Sequence, residues 1–152
     1  MGSATRTTEI AAPATEVWAI LTELDAYHDW ESGYVMSEYT SDQRTGVGVT
    51  RRVELKSPMG VRWANHEITR WEEPSVIAWA ARSSNFPLLA RAEQVVTLRA
   101  AGNTTHVQNT VTYTLKYGWL GRIIDPIMFR PIVKGGVEGF VDSLAARAQQ
   151  NI

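Results

Sequence analysis

The chain contains no cysteine. A disulfide framework, a thiolate metal site and a thiol nucleophile are therefore excluded. It has no excess of either charge: 15 Lys plus Arg stand against 16 Asp plus Glu, a net charge of −1. That leaves no strongly basic face to meet nucleic-acid phosphates. No apolar run approaches the roughly 20 residues that span a bilayer. The opening Met1-Gly2-Ser3-Ala4-Thr5-Arg6 lacks the apolar stretch of a secretory leader, so the expected location is cytoplasmic. His28, His66 and His106 have no close-spaced metal partners, and no metal site is expected. A glycine-rich phosphate loop and a nucleotide fingerprint are also missing. The expected cofactor list is empty.

What is present fits a globular chain. Its 152 residues suffice for one domain with a sizeable core, expected to span 1–152. Hydrophobic residues make up 44% and charged residues 20%, the balance of a folded protein rather than a disordered one. Six Trp supply large rings, which fill cores and also line apolar ligand sites.

Residues 5–12 read as a first strand. Pro13 suits the first turn of a helix, and Val17, Ile20, Leu21 and Leu24 follow at helical spacing. Asp25 is placed to cap a second short helix over 26–30, which Gly33 ends. The period then changes to two. Strands are expected at 34–41, 47–56, 61–71, 75–82, 90–100 and 104–116, separated by turn residues at 44–46, 57–60, 72–74 and 101–103. Connections this short favour hairpins, hence an antiparallel meander, and strands this long must twist and coil. From Gly118 onward the pattern is helical, interrupted by Pro126 and Pro131. Val133, Val137, Phe140, Val141, Leu144 and Ala148 then form an apolar stripe. One long helix across a seven-stranded sheet cannot fill its concave side, so a cavity is expected.

Several segments together resemble the START/Bet v 1-like superfamily, in particular its polyketide cyclase/dehydratase and lipid-transport branch. They are Ile10-Ala11-Ala12-Pro13-Ala14-Thr15-Glu16-Val17-Trp18 at the strand-to-helix entry, Tyr27-His28-Asp29-Trp30, Gly46-Val47-Gly48, Glu67 to Pro74 followed by Ile77-Ala78-Trp79, and Gly102 to Val107. The resemblance spans essentially the whole chain. It implies an α+β helix-grip fold: a curved seven-stranded antiparallel sheet around a long C-terminal helix, with two short helices after strand 1. It says little about the ligand, because this fold hosts carriers, hormone receptors and cyclases.

The resemblance also implies which side chains face inward. These are Arg51, Val53 and Leu55, then Ala64, His66 and Ile68, then Ile77, Trp79 and Ala81. Ala90, Ala92, Gln94, Val96 and Leu98 follow on the sixth strand, and Val107, Asn109, Val111 and Tyr113 on the seventh. The seventh strand stands on its own alternation as well, since its other face is His106, Gln108, Thr110, Thr112 and Thr114. The expected ligand-binding set is Val53, Ile68, Trp79, Phe86, Ala92, Gln94, Val96, Val111 and Tyr113, with Met128, Ile132, Gly136 and Phe140 from the helix.

Arg51, His66, Gln94 and Asn109 place polar groups on a mostly apolar lining. An unpartnered buried polar group costs about 1–3 kcal/mol, so such groups satisfy one another, hold water or meet a ligand. His66 is the natural general acid/base if there is chemistry. Arg51 would anchor a carboxylate, phosphate or enolate oxygen, and Asn109 would support it. Each has a structural rival: a core His bonded to a carbonyl, an Arg paired at the surface, a water-bridged Asn. Two functions stay open. One is binding of a mostly apolar small molecule (lipid, polyketide or isoprenoid-like). The other is a small cofactor-independent cyclase/dehydratase with His66, Arg51 and Asn109 as catalytic residues. Loops 57–60 and 83–89 are candidate mouths, and the chain is expected as a monomer or homodimer. Residues 117–131 set apolar anchors beside Lys116, Arg122 and Arg130. That combination suits a membrane surface, whereas Asp125 and the two prolines favour a kinked helix packed over the cavity mouth.

Overall fold

The computed structural model describes residues 2–150, apart from the side chains of Ile127 and Met128. The elements run β1 (Gly2–Ile10), α1 (Ala14–Thr22), a single 3-10 turn (Tyr27–Asp29), β2 (Tyr34–Tyr39), β3 (Thr50–Leu55), β4 (Arg62–Glu72), β5 (Val76–Ser84), β6 (Leu89–Ala101) and β7 (Thr104–Leu115). Then come α2 (Trp119–Ile124), a π turn (Asp125–Phe129) and α3 (Arg130–Gln149). The seven strands form one sheet in the order β1-β7-β6-β5-β4-β3-β2, with every neighbouring pair antiparallel. The hairpins from β2 to β7 lie side by side because their connections are short. β1 and β2 are consecutive in the chain yet occupy opposite edges, so α1 and the 3-10 turn carry the chain from one edge to the other. This is the helix-grip arrangement, with α3 packed along β1 and touching β7 and α1.

The element boundaries differ from the sequence expectation where backbone geometry intervenes. β3 starts at Thr50 rather than 47 because Gly46 and Gly48 hold φ of +88° and +99°, a conformation only glycine adopts freely. Gln43 Nε2 locks that loop by donating to the carbonyls of Thr45 (2.8 Å) and Val47 (2.9 Å). The second short helix is one 3-10 turn. The expected break at the prolines is a π turn, in which the Arg130 N–H reaches the Asp125 carbonyl five residues back. Such a widened turn is a recognised cause of a kink.

The core joins α1, the sheet and α3 through Ile10, Val17, Leu21, Val53, Ile68, Ile77, Val96 and Leu144. Trp18 packs edge-on against Trp71, with centroids 5.5 Å apart, and so ties α1 to the sheet. Farther along the concave face the filling is aromatic. Phe140 of α3 lies 5.3 Å from Trp30, 5.8 Å from Tyr27 and 6.2 Å from Trp79. Among the described residues no helix is long and apolar enough to cross a membrane.

Candidate functional site

Between α3 and the concave face of β3 to β7 lies a cavity of about 250 Å³, just below the usual 300–1,000 Å³ of small-molecule sites. Of the residues named from sequence, Leu55, Ala64, His66, Trp79, Ala81, Phe86, Ala92, Gln94, Asn109, Val111, Tyr113, Ile132, Gly136 and Phe140 border it. Met128 lies outside the described side chains. Val53, Ile68 and Val96 do not border it. They point to the concave side, but they are buried in the core cluster with Val17, Trp18 and Leu21 of α1, which fills that end of the sheet. Arg51 is likewise inward but behind the wall rather than in it.

One parity expectation fails for a local reason. The β6–β7 register shifts between Leu89 and Arg91, so Ala90 is the extra residue of a bulge. Leu89 takes its place at the cavity, while Ala90 is exposed. Other wall residues were not anticipated: Glu31, Gly33 and Tyr34 before and in β2, Lys56, Ser57 and Met59 after β3, Glu93 on β6, and Phe129, Val133 and Val137. For Ser57 and Met59 the signal was present, since their loop was read as a mouth. Val133 and Val137 also follow from the helical pattern, because a helix presents i+3 and i+4 neighbours together rather than one ridge.

Arg51 is 1% exposed, yet among the described residues no carboxylate meets it. Its Nη1 donates to the Leu24 carbonyl at 3.0 Å. The guanidinium carbon sits 4.3 Å from the Tyr27 ring centre, 4.9 Å from Trp79 and 5.8 Å from Tyr34. Ring faces attract a cation by about 2 kcal/mol or more when desolvated, so three rings take the role a counter-ion would have. Nε and Nη2 remain without partners. The hydroxyls of Tyr27 and Tyr34 are pushed up by burial, which outweighs the opposing pull of Arg51.

His66 pairs directly opposite Arg51 across β3 and β4 and stacks on Trp79 at 6.2 Å and 27°. Burial drives its pKa well below the ordinary 6.5, and the positive charge of Arg51 adds to this. The imidazole is therefore neutral near pH 7, and its Nδ1 has no hydrogen-bond partner. Asn109 and Gln94, by contrast, are engaged. Gln94 Nε2 donates to Asn109 Oδ1 at 2.9 Å, and Asn109 Nδ2 donates to the Val137 carbonyl at 3.4 Å. This couples β6, β7 and α3. At the far wall the Tyr113 hydroxyl donates to Asp125, whose other oxygen accepts from Arg130 Nη2 at 2.8 Å. Burial raises the Tyr113 pKa and the bond to Asp125 raises it further.

The depressed His66 pKa carries a stability consequence. Above pH 6.5 the residue is neutral in both folded and unfolded chains and adds no pH dependence. As pH falls below 6.5 the unfolded chain takes up a proton that the folded chain refuses, so stability drops by up to about 1.4 kcal/mol per pH unit until the lower folded value is reached. Urea unfolding between pH 7 and 5 should show this slope in the wild type and a shallower one in His66→Phe. Equal slopes would place the proton elsewhere.

His28 Nδ1 lies 3.3 Å from Ser37 Oγ and His28 Nε2 3.5 Å from Asp29, in the order of a nucleophile triad. Ser37 is 4% exposed, however, so a substrate carbonyl has no approach to its hydroxyl. Among the described residues no group of three or more His, Asp or Glu is gathered for a metal ion.

A sequence profile described as polyketide cyclase / dehydrase and lipid transport matches residues 1–149. No curated protein matches by sequence. Solved structures do match in fold. A START superfamily protein from Mycobacterium smegmatis is 15% identical with a TM-score of 0.82, over 99% of each chain. The Zhui aromatase/cyclase from Streptomyces sp. R1128 is 16% identical with a TM-score of 0.83, over 98% of this chain and 94% of that one. A major latex-like protein from Panax ginseng is 11% identical with a TM-score of 0.75, over 97% of each. At these identities the likeness concerns the fold.

Proposed function

Because this chain belongs to the polyketide cyclase/dehydrase and lipid-transport family, we propose that it binds a mostly apolar small molecule, of lipid, polyketide or isoprenoid kind, in the cavity under α3. The observation that carries this reading is a largely apolar wall with one buried polar atom left over, His66 Nδ1. Leaving that nitrogen unpaired costs about 1–3 kcal/mol, which a ligand hydroxyl or carbonyl recovers. Asn109 and Gln94 serve this reading as a brace, since their amides already bind each other and α3. Phe86, Met59 and Leu89 stand at the wall from the two loops read as mouths.

The test is mass spectrometry of the organic extract of denatured protein, with titration of the purified chain by a fluorescent apolar probe. A co-purifying hydrophobic compound that displaces the probe is expected. A chain that neither carries nor takes up any apolar molecule overturns the proposal.

A second reading has its own support. A neutral His66 beside the Arg51 guanidinium suits cyclase/dehydratase chemistry, and the Streptomyces structure is named an aromatase/cyclase. The imidazole accepts the proton and the positive field steadies an enolate oxygen. On this reading the cavity holds a flexible chain in a reactive shape, and His66→Ala lowers turnover at least about 100-fold. An unchanged rate removes His66 from the mechanism.

A further inference from the structure

Four large apolar side chains at the start of the C-terminal helical segment are in solvent: Tyr117 (67% exposed), Trp119 (72%), Leu120 (41%) and Ile123 (57%). The orientation of α2 explains the cluster. Gly121 is buried against Leu115 and the Lys116 carbonyl, so closely that a Cβ there would come within 3.0 Å of both. At about 100° per residue, the direction opposite Gly121 falls between Trp119 and Ile123, with Leu120 on one flank and Arg122 on the other. The close glycine contact therefore aims the largest apolar pair straight outward.

The exposed charges of this segment are of one sign. Lys116 and Arg122 are exposed, and neither is within ion-pair distance of a carboxylate among the described residues. The one acidic residue of the segment, Asp125, is turned inward, 7% exposed and bonded to Tyr113 and Arg130. Of the features that opposed a membrane-facing helix on the sequence, Asp125 and the two prolines, the acidic charge is thus absent from the outward face. Trp and Tyr beside Lys and Arg make up the side-chain set of a lipid–water interface.

We propose that the Tyr117–Ile123 face docks this protein on an anionic lipid surface. A second copy of the chain suits the patch less well. Related by a twofold axis, two such faces bring Lys116 and Arg122 of each copy toward those of the other, with no carboxylate between them. Anionic headgroups complement these cations and the acyl boundary accepts Trp119 and Ile123.

The patch also adjoins the cavity. The Lys116 N–H donates to the Leu88 carbonyl at 2.6 Å, Leu115 pairs with Leu89, and Leu89 and Phe86 border the cavity. A docked molecule therefore holds its mouth loop beside the lipid, where an apolar ligand enters without crossing water. Docking stands without the ligand-binding reading; the entry route rests on it.

The experiment uses the whole chain without ligand, in cosedimentation with vesicles of phosphatidylcholine alone or with about 30% phosphatidylserine, which supplies a negative surface potential. Binding to the anionic vesicles, weakened by salt, is expected. Both Trp119→Ser/Ile123→Ser and Lys116→Glu/Arg122→Glu should lower it at least about tenfold, and Val47→Ser, an exposed residue elsewhere, should not. Unchanged circular dichroism and unfolding midpoints show that the variants fold. No binding to anionic vesicles, binding by either double variant as strong as that of the wild type, or a dimer abolished by these substitutions in place of vesicle binding would each overturn the proposal.

Discussion

Phenylalanine in place of Gly136 is expected to weaken binding of an apolar probe at least about 100-fold, close to 3 kcal/mol, while the chain stays folded. Gly136 borders the cavity from the middle of α3, and a Cβ built on it meets nothing within 4 Å. The helix therefore tolerates a side chain at this point. Glycine is also about 1 kcal/mol poorer than alanine in a helix interior, so the backbone loses nothing by the change. Gly136 is exposed at the border of the cavity, so a benzyl group there competes with a ligand for about 250 Å³ of space. Isothermal titration or probe fluorescence reads the affinity, and thermal unfolding reads the fold. A variant that binds as the wild type does would move the ligand out from under α3.

The second large effect runs the other way. Phe140→Ala should cost about 3–5 kcal/mol of stability, the range for emptying a packed aromatic site. For a chain of this length that corresponds to a fall in unfolding midpoint of about 6–20 °C. Phe140 is 3% exposed and touches Tyr27, Trp30 and Trp79 at once. Tyr27 is not free to collapse into the space, because it is held by its hydroxyl bond to the Leu21 carbonyl at 2.7 Å and by the Arg51 guanidinium. The same change enlarges the cavity, so bulkier probes should gain affinity relative to small ones. A loss under about 1 kcal/mol would mean that α3 is not packed on the aromatic cluster.

How far these residues were readable from sequence depends on the physical origin of each. Val107, Asn109, Val111 and Tyr113 face inward as alternation requires, because the opposite face of β7 is polar throughout and suits water. The inward side of β3 and β4, with Arg51 and His66, followed only from the superfamily resemblance, since both faces of those strands mix polar and apolar groups. Leu89 escaped because a bulge adds a residue without any sequence mark that alternation detects. Val53, Ile68 and Val96 were assigned to the ligand because the pattern says only that they are inward. Which end of the concave face α1 plugs is a tertiary fact.

The environment of Arg51 was equally hidden. Tyr27, Tyr34 and Trp79 come from three separate segments, and no spacing rule brings them around one guanidinium. Asp125 shows the reverse problem. Its charge was visible, but its direction depended on the π turn that points it at Tyr113 and Arg130.

The central claim is that the space under α3 is the ligand site. It is tested most directly by intermolecular nuclear Overhauser effects between a bound apolar molecule and methyl-labelled protein. Contacts to Ala92, Val111 and Ile132, which border the cavity, with a shifted His66 ring, are the predicted result. Contacts confined to Leu120 and Ile123 on the outer face of α2, with Ala92, Val111 and Ile132 silent, would contradict it.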